Sequence, residues 1–257
     1  MRIAYHPSSN LPRTLHYLTT LCFNDSIALD AGPIGLLGLP EEQAAIHDVV
    51  LTHAHIDHLA TLPIFLENVY RLTPRPIAIH ATRETIAALH AHVFNDCLFP
   101  TLELLNGLNP PFCTLHEIRP RVPFFVGGLQ WEAVPLMHPT PCVGYRVRDE
   151  RGAIVVATDT DDCPGLHELL FDTPRLRAVF LEASFPNSQT PLARASQHLT
   201  VGQFLDFAFR LPESVSIFAI HTKARFRKEI SDAIRKAKRK NVSVFQAGQS
   251  IDLAQFD

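Results

Sequence analysis

The chain has 257 residues, of which 46% are hydrophobic and 19% charged, and a formal net charge of -3. That length and apolar content predict one domain spanning residues 1–257 with a large core, and exclude a disordered or low-complexity chain. No run is long and apolar enough to cross a bilayer, the start Met1-Arg2-Ile3-Ala4-Tyr5-His6-Pro7 lacks the core of a secretory signal, and five cysteines without CxxC spacing read as reduced thiols of a cytoplasmic protein.

In chain order, apolar runs rich in β-formers predict strands at Ile27 to Asp30 and Val49 to Thr52, and a helical period follows from Leu59 to Leu72. A strand at Ile77 to His80 leads to a helix at Glu84 to Val93. The proline-rich interval Asn106 to Pro123 reads as a long surface connection, and Phe124 to Val147 is strand-dense. Strands at Ile154 to Thr158, Ala178 to Glu182 and Val215 to His221 alternate with a helix at Val201 to Arg210. A basic helix at Phe226 to Lys240 precedes a last strand at Val242 to Gln246. On that helix Arg227, Lys228, Arg235, Lys236, Lys238, Arg239 and Lys240 surround an inner stripe of Ile230, Ala233, Ile234 and Ala237, so it reads first as a solvated face and second as a nucleic-acid contact.

The densest chemistry lies in Thr52-His53-Ala54-His55-Ile56-Asp57-His58, directly behind Val49-Val50-Leu51. His53 and His55 alternate along an extended segment and so point the same way. Asp57 and His58 fall where the following helix begins. A strand-to-helix turn can therefore converge all four on one small volume. Neutral imidazoles with a carboxylate suit zinc or another borderline divalent ion. A closed structural site would ordinarily recruit cysteine, and this motif has none.

An HxHxDH motif after a short strand resembles the metallo-β-lactamase superfamily of dinuclear metallohydrolases. The resemblance implies an α/β fold, the αββα sandwich, with two mixed β-sheets packed face to face and helices outside. It also implies further ligands downstream, each after a strand. His138 follows Trp131 to Met137, Asp159 follows Ala153 to Thr158, and His221 follows Val215 to Ile220. Asp161 competes with Asp159 within Asp159-Thr160-Asp161-Asp162, though strand-end placement favours Asp159; His138 before Pro139 can also be a turn cap. The family pattern gives His53, His55 and His138 to one metal, Asp57, His58 and His221 to the second, and Asp159 to both. The implied cofactors are two divalent ions, zinc first and manganese or iron as alternatives, with Asp57 also counted among the catalytic residues. His6, His16, His47, His80, His90, His92, His116 and His167 read as ordinary polar residues.

Two segments bear on the substrate. Glu182, at a strand end in Leu181-Glu182-Ala183-Ser184-Phe185-Pro186-Asn187-Ser188, is followed sixteen positions later by His198 in Ser196-Gln197-His198-Leu199-Thr200. This resembles the Glu/His pair of the phosphodiesterase members, where the imidazole gives a proton to the departing alkoxide and the carboxylate orients it. The plainer reading makes His198 a helix cap and Glu182 a structural ion-pair partner. The helix that ends in Phe94-Asn95, with Pro100 shortly after, resembles the class II cyclic nucleotide phosphodiesterases, as do Glu-Ala-Ser-Phe-Pro-Asn and the His-x-Lys at His221 to Lys223. Asn95 is then a candidate for base or ribose recognition, or a helix C-cap. Lys223 is a candidate for a phosphate, or merely exposed. Thr61 replaces a glycine usual in the family, and His6-Pro7-Ser8-Ser9-Asn10 lacks the glycine-rich loop of many relatives.

The expected function is a dinuclear phosphodiesterase that opens a 3′,5′-cyclic nucleotide to the 5′-nucleotide by attack of a metal-bridging hydroxide, with His198, oriented by Glu182, protonating the leaving oxygen. The alternatives are a tRNase Z-like endoribonuclease, another hydrolase of the fold acting on a lactone, thioester or sulfate ester, and a redox or nucleotide-binding member. The expected partner is a small phosphodiester; nucleic acid ranks below it because the net charge is -3 and no long glycine- and proline-rich arm is present. No membrane partner is expected, and pairing of two copies is left open.

Overall fold

In a computed structural model of the chain the described residues are 1–8 and 17–256, so His16 and the Ser9-Asn10 end of the N-terminal turn lie outside them. They divide into two compact units, one holding residues 1–8, 18–119 and 247–256, the other residues 120–246 together with Tyr17.

The first unit contains β1 (Arg2–Tyr5), β2 (Leu21–Phe23), β3 (Ile27–Leu29), β4 (Asp48–Val50), β5 (Ile77–Thr82) and β6 (Cys113–Ile118), with α1 (Pro40–Gln43), α2 (Ile56–Leu59), α3 (Leu62–Val69), α4 (Arg83–His92) and α5 (Leu102–Asn106). Its mixed sheet is seven-stranded among the described residues, with the order Ser250–Asp252, β1, β2, β3, β4, β5, β6. The first pairings are antiparallel, and β3, β4, β5 and β6 run parallel. Parallel strands covered on both faces read as continuous apolar runs, which is how Val49-Val50-Leu51 reads. The α-helices and β-strands of this unit share a core that includes Leu51, Leu62, Phe65, Leu66, Ile79 and Phe94.

Two expectations are corrected here. The interval Asn106 to Pro123 is not one surface connection, because Cys113–Ile118 forms β6 and pairs with β5 from Ile77↔Cys113 to Thr82↔Ile118. Its prolines flank the strand and leave it able to donate every ladder hydrogen bond. The single helix expected from Leu59 to Leu72 is divided into α2 and α3, and Pro63 falls in the first turn of α3. Proline lacks an N–H and suits a helix start better than a helix interior.

The second unit contains β7 (Phe124–Val126), β8 (Leu129–Leu136), β9 (Cys142–Arg148), β10 (Ala153–Ala157), β11 (Leu176–Glu182), β12 (Ser216–Ile220) and β13 (Val242–Val244), with α6 (Pro164–Phe171), α7 (Thr190–Ser196), α8 (Val201–Arg210) and α9 (Arg227–Lys236). Its sheet is again mixed and seven-stranded, in the order β13-β12-β11-β10-β9-β8-β7. The meander β7-β8-β9-β10 is antiparallel, and β10, β11, β12 and β13 are parallel. Helix α8 begins where the sequence placed it, held by a capping box in which Thr200 Oγ1 accepts from Gln203 N and Gln203 Oε1 accepts from Thr200 N. Its Phe204 and Phe207 enter a core with Val179, Leu181 and Ile217. Among the described residues no helix is long and apolar enough to cross a membrane.

Cys22, Cys113, Cys142 and Cys163 are buried and Cys97 is exposed. Burial pushes the Cys22 thiol up to about 12 and the Cys113 thiol up to about 11, because desolvation disfavours a thiolate. A disulfide reagent at pH 8 should therefore modify Cys97 rapidly in the native protein and the other four cysteines only after unfolding. A second rapidly reacting thiol would contradict that packing.

Candidate metal centre

In the first unit, parallel pairing of β3 with β4 sets their C-terminal ends side by side. Asp30, just past β3, takes a positive φ of 63°. From there its carboxylate accepts from Thr52 N at 2.8 Å, from Thr52 Oγ1 at 2.9 and 3.0 Å, and from His58 Nδ1 at 2.7 Å. The Thr52 hydroxyl proton is spent on Asp30, so its oxygen accepts from His53 Nδ1 at 2.9 Å. Both imidazoles are thereby protonated on Nδ1 and carry their lone pair on Nε2. Burial pushes the Asp30 carboxyl up, against the opposing pull of His58 and Thr52.

His55 is the N-cap of α2, and Asp57 and His58 lie in its single turn. The His53 ring centroid is 4.7 Å from that of His55 and 4.2 Å from that of His58. His53 with His55, His53 with His58, and Asp57 with His58 each offer ligand atoms within 4.8 Å of one another.

The turn is pinned from behind. Ala31 N donates to His58 O at 2.6 Å and Thr19 N to Asp57 O at 2.8 Å. A Cβ on Gly32 would lie 2.5 Å from Asp57 O, so only glycine permits this approach. Thr61 is buried, and its hydroxyl accepts from Gly35 N at 2.8 Å and reaches Ala31 O at 3.3 Å. A Cβ on Gly35 would lie 2.6 Å from Thr61 O and 3.1 Å from Thr61 Cβ. The bulk that Thr61 brings is accommodated by a glycine across from it.

In the second unit the parallel strands β10, β11 and β12 end level, with Ala157↔Leu181, Leu181↔Ala219 and Glu182↔Ile220 as partners. That register places Asp159, Glu182 and His221 at one edge of the sheet, where functional groups of open α/β sheets gather. His221 has a positive φ of 52°. Ser184 Oγ donates to the His221 carbonyl at 3.0 Å and so accepts from His221 Nδ1 at 3.1 Å. His221 Nε2 then lies 3.5 Å from Asp159 Oδ1.

His138, just beyond β8, donates from Nδ1 to the Gln197 carbonyl at 3.3 Å. The next residue, His198, donates from Nδ1 to Glu182, whose oxygens are 3.0 and 3.1 Å away. Glu182 is fully buried and also accepts from Thr160 N at 2.6 Å and Leu199 N at 3.2 Å. Burial depresses the His198 imidazole, but the Glu182 charge and hydrogen bond, with Asp159 behind them, outweigh it and leave it above the ordinary histidine value; Lys223 opposes. His138, Asp159 and His198 offer ligand atoms within 4.8 Å of one another, as do Glu182, His198 and His221.

Asp159, not Asp161, enters these groups. Asp161 instead takes the Asp162 N–H on Oδ1 at 2.7 Å. In the first unit Asn95 closes a turn: its Nδ2 donates to Ala91 O, and its Oδ1 accepts from Cys97 N and Leu98 N. Lys223 is half-buried and within electrostatic reach of His198.

Four residues that hold the candidate ligands were not singled out from the sequence: Asp30, Thr52, Ser184 and Gln197. Asp30 carried a signal, an acid closing the apolar run Ile27-Ala28-Leu29, the same pattern that marks Asp159 and Glu182. Gln197 carried none, since its backbone carbonyl makes the contact.

His53, His58, His138, His198 and His221 are all held through Nδ1. In His53, His58, His138 and His221 this leaves Nε2 as the donor atom, the arrangement that orients histidine ligands of a metal. With Asp57 supplying oxygen in the first unit and Asp159 in the second, the donors of each unit are of the kind that suits a borderline divalent cation such as zinc.

Each mixed sheet of this α/β protein carries at its strand ends imidazoles and carboxylates of the kind that hold divalent metals. The Beta-lactamase superfamily domain matches residues 27–221, and the chain belongs to that family. The chain spans about half the length of the curated relatives it matches: ribonuclease Z of Mycobacterium marinum is 28% identical over 135 residues, 49% of this chain and 48% of that protein. Unliganded yeast PDE1 superposes with a TM-score of 0.75 at 16% identity, covering 97% of this chain and 98% of that one. The metallo-β-lactamase fold protein YhfI from Bacillus subtilis superposes with a TM-score of 0.69 at 14% identity, covering 97% and 98% of the respective chains. Those identities establish the fold alone, and it is the class expected from the sequence.

Asp30→Ala should weaken zinc binding about 10- to 100-fold, the usual consequence of removing a carboxylate behind a ligating histidine. Competition against a chromophoric chelator measures it, and an unchanged affinity would remove Asp30 from the support of the centre.

Proposed function

We propose that the chain is a dinuclear metal-dependent phosphodiesterase that opens a 3′,5′-cyclic nucleotide. His53, His55 and His138 would hold one divalent ion, Asp57, His58 and His221 the other, and Asp159 both. Two such ions supply an acidified water and neutralise charge developing on phosphate oxygens. The rest of the chemistry belongs to the chain's own side chains.

The observation that carries this reading is the Glu182–His198 pair. Glu182 is locked by the Thr160 and Leu199 amides and takes the Nδ1 proton of His198. That leaves the Nε2 proton of the imidazolium for the departing 3′-oxygen, and a pKa that the Glu182 charge raises above the ordinary histidine value despite burial favours that protonated ring. His198 ends the step neutral and regains its proton from solvent. Glu182 acts through His198 and is a positioning residue. Lys223 would offset the negative charge of the bound phosphate. Asn95 would reach a base or ribose only by releasing its turn.

A second reading has its own support. The ribonuclease Z relatives, at 28% identity over half the chain, favour an RNA phosphodiester handled by the same pair.

Turnover of 3′,5′-cyclic AMP, bis-p-nitrophenyl phosphate and a transfer-RNA precursor by zinc- or manganese-loaded protein separates these readings. His198→Ala should lower kcat on the preferred natural substrate about 10²- to 10⁴-fold with KM little changed. A variant that raises only KM would make His198 a binding residue. Hydrolysis of the precursor alone would return the substrate to RNA.

A further inference from the structure

Charge is unevenly distributed along this chain. Residues 223–240 hold nine Lys or Arg against two acids, a net +7, so the remaining residues carry -10 to give the overall -3. The segment starts two residues after His221.

Within the second unit four of these cations line a groove of about 370 Å³, bordered by Arg225, Arg227, Lys228, Asp232, Arg235 and Gln246. Four cations against the single lining acid, Asp232, leave the groove net positive. Asp232 accepts from Lys228 Nζ at 2.8 Å and Arg235 NH1 at 2.9 Å, which fixes those two cations in place. Glu229 is turned to Ser188, whose hydroxyl donates to it at 3.1 Å. The Arg225 guanidinium lies 5.3 Å from the Phe226 ring centroid, which restrains a third cation. The apolar residues of α9, Ile230 and Ile234, are 0% and 5% exposed, so no apolar stripe remains for insertion into a lipid surface. A concave row of oriented guanidinium and ammonium groups matches successive phosphates of a chain better than a flat anionic sheet.

We propose that the groove along Arg225 to Arg235 binds the phosphodiester backbone of a polynucleotide, whichever phosphodiester the neighbouring centre cleaves. Binding is electrostatic and independent of base sequence, because phosphate contacts position a nucleic acid without reading it. The shared chemistry is the backbone phosphate, and RNA and DNA are its two sources.

The test is fluorescence anisotropy with labelled single-stranded RNA and duplex DNA, over a salt series, on the full chain. The expected result is binding at 50 mM salt whose log-log salt slope is about -3 for single strands, as four phosphate contacts would give. The triple variant Arg227→Glu, Lys228→Glu, Arg235→Glu should bind at least tenfold more weakly with a slope smaller in magnitude by about 2, while Arg119→Glu on the other unit should match wild type. Thermal melting checks that the triple variant is folded, and its hydrolysis of bis-p-nitrophenyl phosphate should be unchanged. Preference between the two probes identifies the source. No binding to either, equal binding by the triple variant, or capture by anionic phosphatidylglycerol vesicles in place of nucleic acid would overturn the proposal. A failure here leaves the turnover assays of the proposed function intact, and the reverse also holds.

Discussion

Asp30 is fully buried and accepts hydrogen bonds from the Thr52 amide, the Thr52 hydroxyl and His58 Nδ1. A carboxylate in that position must be fully partnered, since removing one partner of a buried charged pair costs about 3–5 kcal/mol. The bonds reach across two strand ends and so fix the start of the HxHxDH turn against β3. Thr52, once its proton is committed to Asp30, can only accept from His53. One carboxylate therefore settles the orientation and tautomer of two imidazoles. The cost is a left-handed backbone at Asp30, tolerable because short acidic side chains enter that region more readily than most.

The second unit repeats the device with different groups. Ser184 fixes His221, the Gln197 carbonyl fixes His138, and Glu182 fixes His198. Each holder sits on a segment next to the end of a parallel strand or to the turn before α8. Registry does most of the alignment: three parallel strands ending level bring Asp159, Glu182 and His221 to one edge without any loop having to search for them. Gln197, like His221 and Asp30, has a positive φ, and each of the three presents a backbone or side-chain atom that regular structure would turn away.

What was legible in the sequence follows from this division. HxHxDH, Asp159, Glu182 and His221 were visible because a polar side chain closing an apolar run leaves a local trace. His198 was visible through its spacing from Glu182 and its place before a helix start. Asp30 to His58, by contrast, is a pairing of residues 28 apart that only the β3–β4 neighbour relation creates. The holder of His138 is a main-chain oxygen, which no side chain announces. β6 was missed because the prolines around it outweighed the short run from Cys113 to Ile118, although they fall outside the paired residues. The Gly35–Thr61 complementarity was also hidden, since a larger residue at one position is interpretable only beside the small one that faces it.

Asp30 and Glu182 show how one arrangement serves two purposes. Both are buried carboxylates that accept from an imidazole Nδ1 and from a backbone amide. The difference lies in what surrounds the imidazole. His58 is fully buried, packs its ring 4.2 Å from His53 and turns Nε2 toward Asp57 at 3.7 Å, among the other candidate ligand atoms of its unit. His198 faces Glu182 and has Asp159 at 3.7 Å on the same side of its ring, and the net upward shift of its pKa favours the ring that carries a proton on both nitrogens. A carboxylate behind an imidazole raises its basicity in either case. Whether the outcome is a metal donor or a proton donor depends on what meets Nε2, and a cation there would exclude the proton that a leaving oxygen would take.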